Sequence, residues 1–400
     1  MNIVADRVQR IKLSPSVAAR AIIAQLREEG RRIIDLTIGE PDFATPAHIC
    51  EAAVAAIGRG QTKYPAAQGV PALRRAIRAR ILADIGQDYP VGQIIVSTGA
   101  KQVIYNALAA SLNEGDEVII PAPYWVSYPD MVTVNGGKPV IVPATPAGGY
   151  RIDPQALEAA ITARTKWLML NSPSNPTGAL YRREDLQALA AVLERHPHVW
   201  LMTDDIYARL NFTGQPSVHP LQVAPRLAER TLVVNGVSKA YAMTGWRIGY
   251  GAGPEPLLKA MAILQSQSTS GASSISQAAA LAALEGPQDC VTQFAGIFRE
   301  RRDEALRRLR AVAGLALVEP EGAFYVFPDC SALLGKRMPD GKVLRTDTDL
   351  THYLLREAGV AVIDGSAYGA PGTFRLSFAA SLQDLRAGCE GIAQACAKLQ

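Results

Sequence analysis

The sequence predicts an α/β fold, with a large domain built on a mostly parallel, seven-stranded sheet between helices and a smaller α+β domain beside it. Three observations carry this expectation. From about residue 94 to about residue 253, short β-rich apolar runs alternate with amphipathic helical stretches, the mark of a parallel sheet wrapped by helices. Beyond about residue 287 the alternation gives way to a long charged helix followed by scattered short strands. At 400 residues, the chain has room for two or three domains of about 150 residues each.

In chain order, an arm and one helix, Ala18–Glu29, precede an apolar strand at Ile33–Ile38. This first stretch, residues 1–45, is expected to fold partly with the C-terminal domain. The large domain is then residues 46–286 and the small one 287–400, with a hinge near Glu285–Pro287. The seven strands are expected at Ile94–Val96, Val118–Ile120, Val140–Val142, Trp167–Leu170, Val199–Met202, Thr231–Val234 and Ile248–Gly251. Between the first two, Val103, Ile104, Ala107, Leu108 and Leu112 fall on one helical face, and Asn113–Asp116 turns the chain into the next strand. Farther on, Ala305, Leu306 and Leu309 keep helical spacing inside the densest basic run, Arg299–Arg310, whose charges alternate in sign and read as a solvated helix face.

Composition narrows the function classes. With 48% apolar and 20% charged residues, the chain has the make-up of a globular protein, and no run approaches the ~18 apolar residues of a membrane span. A net charge of +4, not gathered into one block, makes nucleic acid an unexpected partner. The five cysteines include no C-x-x-C pair, which fits free thiols and a cytoplasmic setting. No G-x-G-x-x-G follows a strand, and neither a phosphate-loop signature nor an H-E-x-x-H pair is present, so no metal is expected.

In open α/β sheets, ligands sit beyond the carboxyl ends of the strands, and chemistry-bearing residues gather there. After the first strand, Gly99-Ala100-Lys101 opens a helix whose free N–H groups favour an anion. Asn175 stands in the rigid loop after the fourth strand, and Asp204 and Tyr207 follow the fifth. Ser238, Lys239 and Arg247 come after the sixth. Singly, each is ordinary as a turn, a cap or a surface side chain. Together they bring an amine, an acid, a phenol, an amide and a phosphate cradle to one place. A free lysine, with pKa about 10.4, is only about 0.04% neutral at pH 7, so a nucleophilic lysine needs a depressed pKa or covalent masking. Pyridoxal phosphate asks for a lysine, a carboxylate for its ring nitrogen and an anion site, and the sequence has candidates for all three.

The run Gly236–Gly249 resembles the lysine signature of class I aminotransferases, the fold-type I pyridoxal-phosphate enzymes. The likeness extends through Gly39–Phe43, Lys63-Tyr64, Gly99–Lys101, Pro123–Trp125, Asn175–Gly178, Asp204–Tyr207 and Phe374–Ser377. The runs Pro121–Pro129 and Ala242–Tyr250 are most similar to the bacterial aspartate and aspartate/prephenate subgroup. This resemblance implies transamination between an amino acid, aspartate foremost, and 2-oxoglutarate by a ping-pong mechanism on pyridoxal 5′-phosphate. It implies that Lys239 forms the Schiff base and shuttles the proton, that Asp204 keeps the ring nitrogen protonated, and that Tyr207 and Asn175 bond the phenolic oxygen. Trp125 would stack on the ring. Gly99, Ala100, Lys101, Ser238, Arg247 and a partner subunit's Tyr64 would surround the phosphate, which implies a homodimer.

For substrate, the resemblance implies that Arg375 grips the α-carboxylate, its planar fork suiting two oxygens at once, and that Gly39 adds a backbone group, a simple turn being its rival. Lys101 matches the lysine for a distal carboxylate, and a solvent-facing first-turn lysine is an equal alternative. Lys12, in the arm, is a further candidate for the same end, and Trp125 and Asn175 also border the substrate. Gly236 stands where the family often has a phosphate-binding serine, so that donor must come from elsewhere. A different amino-acid preference or a lyase activity are the enzyme alternatives. A ligand-sensing regulator, which would carry a DNA-binding module ahead of the arm, is the non-enzyme alternative and is not expected, since the arm begins within the first dozen residues.

Overall fold

The computed structural model describes residues 3–13 and 15–400. Twelve strands are present among them: β1 (Ile34–Asp35), β2 (Ile94–Ser97), β3 (Glu117–Ala122), β4 (Lys138–Pro143), β5 (Thr165–Asn171), β6 (Trp200–Asp204), β7 (Thr231–Gly236), β8 (Gly249–Ala252), β9 (Tyr325–Val326), β10 (Val360–Ala361), β11 (Ile363–Asp364) and β12 (Phe374–Ser377). Seven of them, in the order β2-β8-β7-β6-β5-β3-β4, form one sheet. Only β8 runs against its neighbours.

Each of the seven expected strands appears in this sheet, because strands covered on both faces read as continuous apolar runs. The period-two alternation sorts their side chains between two layers. Val118 and Ile120 pack with Val103, Leu108, Trp167, Met202 and Leu258 under the helices Ala100–Ser111 and Glu255–Ser268. Ile119 instead joins Ile77, Leu168, Leu189, Leu201 and Ala280 under the helices Pro71–Ile85, Arg183–Arg195 and Ser274–Glu285. Leu168 is fully buried, and cutting it back to alanine would cost about 2–5 kcal/mol.

A second core gathers Phe298, Leu306 and Leu309 from the helix Asp289–Leu309 with Phe324, Phe374, Leu376 and Phe378. Leu36 from the N-terminal segment belongs to it, and so do Ile206, Tyr207 and Leu210 from the chain after β6. β1 pairs in parallel with β10, Ile34 opposite Val360. The long helix starts ten residues before its expected basic run, separated from the helix Ser274–Glu285 by a short break at residues 286–288. The N-terminal helix spans Pro15–Glu28.

The strand expected over Ile33–Ile38 is a correction in extent. Only Ile34–Asp35 forms a strand; Leu36 still donates its N–H to the Ala361 carbonyl and accepts that of Ser377, and from Thr37 the chain turns to other work. Thr37 donates its N–H to Asp35 Oδ1 at 2.9 Å and offers its carbonyl to Arg375 at 2.6 Å. The expected strand is thus spent partly on the sheet and partly on holding a charged side chain. Among the described residues no helix is long and apolar enough to cross a membrane.

Candidate active site

The strands β5, β6 and β7 end side by side, with Asn171 opposite Asp204 and Asp204 opposite Val234. The loops leaving them, the start of the helix Ala100–Ser111 and the tip of the second core close a cavity of about 280 Å³. Its walls bring together Gly39, Ala100, Lys101, Trp125, Asn175, Asp204, Tyr207, Ser238, Lys239, Arg247 and Arg375. These residues span the chain from position 39 to position 375, so only the fold assembles them.

Lys239 reaches into this cavity from the loop after β7. Its Nζ donates to the Gly39 carbonyl and lies 5.9 Å from the Tyr207 ring and 5.8 Å from that of Phe324. Burial lowers its pKa to about 8, against the opposing pull of Glu40, while Arg375 and Arg247 lower it further. Glu40 in turn accepts from Thr244 Oγ1 at 2.6 Å. An amine with that pKa is about 10% unprotonated at pH 7, some two orders of magnitude more than a free lysine.

Asp204 closes β6 and is 6% exposed. Burial pushes its carboxyl up to about 6, although the Tyr128 hydroxyl, donating to Oδ2 at 2.6 Å, favours the charged form. The adjacent Asp205 adds to the rise. The acid therefore sits where it has been desolvated but has no cation in contact among the described residues. Asn171 fixes the strand ends around it, donating from Nδ2 to the Asp204 carbonyl at 2.7 Å and accepting the Asn175 N–H at 2.8 Å.

At the start of the helix Ala100–Ser111, close approach demands glycine twice. A Cβ on Gly99, whose φ is +85°, would lie 2.5 Å from an Arg247 Nη, and one on Gly249 would lie 2.1 Å from the Ala100 nitrogen. The guanidinium is thereby seated on the open helix terminus, where N–H groups point outward. Arg247 itself holds a left-handed φ of 57°, secured by its Nη1 donating to the Thr244 carbonyl at 2.8 Å. The arrangement is a cationic cradle for an anion. At Gly236 a Cβ would meet the Ile248 carbonyl at 2.9 Å and the Gly249 Cα at 3.1 Å, so backbone crowding leaves no space for a serine there. The Ser238 residue lines the cavity two positions later.

Arg375 lies on β12 and is 3% exposed. It donates to Asn175 Oδ1 at 3.0 Å and to the Thr37 carbonyl at 2.6 Å, stacked 4.4 Å above the Tyr325 ring. Its Nε is buried without a partner among the described residues. A buried donor left unmade is costly, and a carboxylate entering the cavity would supply the missing acceptor. Tyr325 also shares a 2.9 Å hydrogen bond with the Tyr207 hydroxyl. Burial raises the Tyr207 phenol well above its ordinary value.

Lys101 stands at the cavity mouth, its Nζ donating to Ser127 Oγ at 3.1 Å and lying 4.7 Å above the Trp125 ring. Three expected site residues do not line the cavity, one of them Gly99, which caps the helix Ala100–Ser111 just behind Ala100. Lys12 sits in a shallow neighbouring depression with Lys101, Ser127 and Asp130, and Tyr64 projects into solvent, 93% exposed. Sequence reasoning passed over Tyr128, Asn171, Glu40, Thr244 and Tyr325. A signal existed for two of them: Asn171 ends β5 opposite Asp204, and Tyr128 follows Trp125 by three residues into the helix Ser127–Val134. Among the described residues no three His, Cys, Asp or Glu side chains converge as a metal site.

Against this geometry, comparison with known proteins is informative. The family described as aminotransferase class I and II matches residues 31–392. The chain is 51% identical to the aspartate aminotransferase of Rhizobium meliloti, over 99% of this chain and 96% of that one. It is 50% identical to the aspartate/prephenate aminotransferase of Cereibacter sphaeroides, over the whole of both. The crystal structure of a Rhizobium meliloti aspartate aminotransferase superposes with a TM-score of 0.97 at 50% identity, covering 100% of both chains. The Thermus thermophilus aspartate aminotransferase with maleate gives 0.91 at 43% identity, covering 99% of this chain and 100% of that one. A buried lysine facing a buried aspartate, an arginine with an unmet donor and a match over the full length agree: the chain belongs to the aminotransferase class I and II family.

Proposed function

We propose that the protein catalyses reversible transamination between aspartate and 2-oxoglutarate by a ping-pong mechanism, using pyridoxal 5′-phosphate, as a cytoplasmic homodimer. The observation that carries this reading is the meeting in one cavity of a lysine lowered to about 8, an aspartate raised to about 6 and an arginine whose buried Nε has no acceptor. The names of the relatives support aspartate, and some of them support prephenate as a further acceptor.

When bound, pyridoxal phosphate supplies an aldehyde that joins covalently to an amine and a pyridinium ring that draws electrons from the substrate α-carbon. The residues present fit it. Asp204, steadied by Tyr128, is the acceptor that holds a proton on the ring nitrogen, and the arriving cation relieves the cost of its burial. The N–H groups at Ala100 and Lys101, with Arg247 and the Ser238 hydroxyl, would bind the phosphate, while Gly99, its own N–H given to the Ser97 carbonyl at 2.8 Å, keeps the approach open. Tyr207 and Asn175 orient the ring through its phenolic oxygen, and Trp125 covers one face. Tyr64 of the partner subunit would reach the phosphate, and its 93% exposure in the single chain supports that reading.

Lys239 would take the proton from the substrate Cα and deliver it to the cofactor's former aldehyde carbon, on the other side of the shared nitrogen, a general-base role suited to a pKa near the working pH. Arg375 takes the α-carboxylate, with Nε and Nη groups forming the fork, and Gly39 borders the same end. Lys101 binds the distal carboxylate, held toward the cavity by Ser127 and Trp125, with Lys12 beside it. The five cysteines are free thiols, which supports a reducing compartment.

The reading is tested with a panel of amino donors against 2-oxoglutarate, pyruvate and prephenate. Aspartate with 2-oxoglutarate should give the highest kcat/KM, and Lys101→Ala should lower it about 10-fold or more for aspartate while sparing an apolar donor. Equal losses for both donors would remove Lys101 from the distal site, and no turnover of any dicarboxylic donor would remove the aspartate assignment.

A further inference from the structure

Behind the sheet from Lys239 lies a second cavity of about 360 Å³, roomier than the about 280 Å³ beside the lysine. The same alternation builds both. At the end of β6, Asp204 faces one cavity and Asp205 the other, and at the end of β5, Asn171 and Ser172 part in the same way. Nothing in the proposed transamination uses the residues that face backward.

The chemistry of this cavity centres on Asp205, 9% exposed. Thr203 Oγ1 donates to its Oδ2 at 3.0 Å, and His219 Nε2 lies 3.2 Å from the same oxygen. His219 Nδ1 accepts the Leu221 N–H at 3.1 Å, which leaves Nε2 as the ring donor, shared between Asp205 Oδ2 and Thr203 Oγ1 at 3.1 Å. The arginine on the lining, Arg209, is already committed to Asp84 at 3.0 Å and to Gln288 at 2.8 Å. Among the described residues, no lysine or arginine comes within ion-pair distance of Asp205, and its Oδ1 accepts no hydrogen bond. A carboxylate buried without a cation is unfavourable. The lining also carries apolar side chains, those of Ile81, Ile85, Leu186 and Val218.

We propose that this cavity binds a small organic cation, its N–H groups directed at Asp205 and its apolar body lying against Ile81, Ile85, Leu186 and Val218. Amidinium, guanidinium and ammonium heads share the required chemistry. Anions are disfavoured, since Asp205 has no cation beside it and Arg209 is already paired. The site stands independently of the transamination reading, because none of its groups belongs to the lysine's cavity.

Benzamidinium is the probe, since it donates N–H groups and condenses with an aldehyde far less readily than a primary amine does. Calorimetric titration of the holoenzyme, with succinate in excess to occupy the catalytic cavity, should show one saturable site per chain in the millimolar range. Asp205→Asn should weaken it about 10-fold or more, the worth of a charge-assisted hydrogen bond, and uncharged benzyl alcohol should bind more weakly than benzamidinium. Should Asp205→Asn not fold, Val218→Trp, which fills the cavity from its wall, decides: binding is lost if the site is this one. Absence of saturable binding, displacement by succinate, wild-type affinity in Asp205→Asn, or binding retained in Val218→Trp overturns the proposal.

Discussion

Two carboxylates, Asp204 at the end of β6 and Glu304 on the helix Asp289–Leu309, live under opposite electrostatic regimes. Glu304 accepts from Arg308 at 2.8 Å, from Arg386 at 2.8 Å and from Arg307 at 2.9 Å. These hydrogen bonds, that of Arg308 foremost, hold it at about 2. Asp204 has a phenol and a backbone N–H for company, and burial pushes it to about 6. One acid has been given its cations by the chain. The other has been desolvated and kept waiting for one. The difference separates a group that serves the fold from a group that serves a ligand, and the sign of each shift predicts what removal does.

The largest effect is expected at Asp204. On the proposed mechanism, Asp204→Asn lowers kcat by roughly 10²–10⁴-fold, the scale of proton-transfer assistance. Without cofactor it should at the same time stabilise the fold, because the folded-state pKa lies above the unfolded one and the ionised acid is carried at a cost. That gain, roughly 1–3 kcal/mol, should be full above about pH 6 and vanish below about pH 4, where the acid is protonated in both states. Urea denaturation across this range, set beside steady-state kinetics, checks both halves. Unchanged activity with lowered stability would place Asp204 in the same class as Glu304 and break the comparison.

Arg375→Lys sharpens it from the substrate side. A lysine keeps the charge but loses the fork, and kcat/KM for aspartate should fall roughly 10–100-fold. The loss should appear mainly in KM if the arginine grips ground and transition states alike. Intact kinetics with a lower melting temperature would mean that the guanidinium serves only Asn175 and Thr37.

The smallest effect belongs to Glu304. Glu304→Gln should leave kcat and KM unchanged and cost at most about 1 kcal/mol, since solvent screens the three arginines, or about 2–4 °C in Tm. Here the folded pKa is the depressed one. Its contribution is complete above about pH 5 and is lost as the pH falls toward about 2. Scanning calorimetry of both proteins at pH 7 and in acid measures this, and a difference that grows in acid would contradict the sign.

What the sequence disclosed follows the same division. The seven strands were legible because burial on both faces imposes long apolar runs, as in β3 and β5. The residues expected at the strand ends converge because chemistry needs their types, and those types survive in the letters. Pairings over long separations were hidden. Nothing local marks Ile34 as the partner of Val360, or Asn175 as the acceptor for Arg375, 200 residues on. Tyr128 looked like one aromatic among several in its run, and only the fold brings its hydroxyl to Asp204. The basic run Arg299–Arg310 read as a solvated face, and in part it is one. Its single well-placed acid, Glu304, nevertheless ties that helix to Arg386 on another.

The role of Lys239 is decided by borohydride reduction of the protein loaded with pyridoxal phosphate, followed by peptide mass spectrometry. One phosphopyridoxyl adduct per chain is expected, on the peptide containing Lys239, formed from the cofactor-free protein with a pH midpoint of about 8, and transamination should be lost in proportion to labelling. An adduct on another lysine, or full transamination after Lys239 has been labelled, would contradict it.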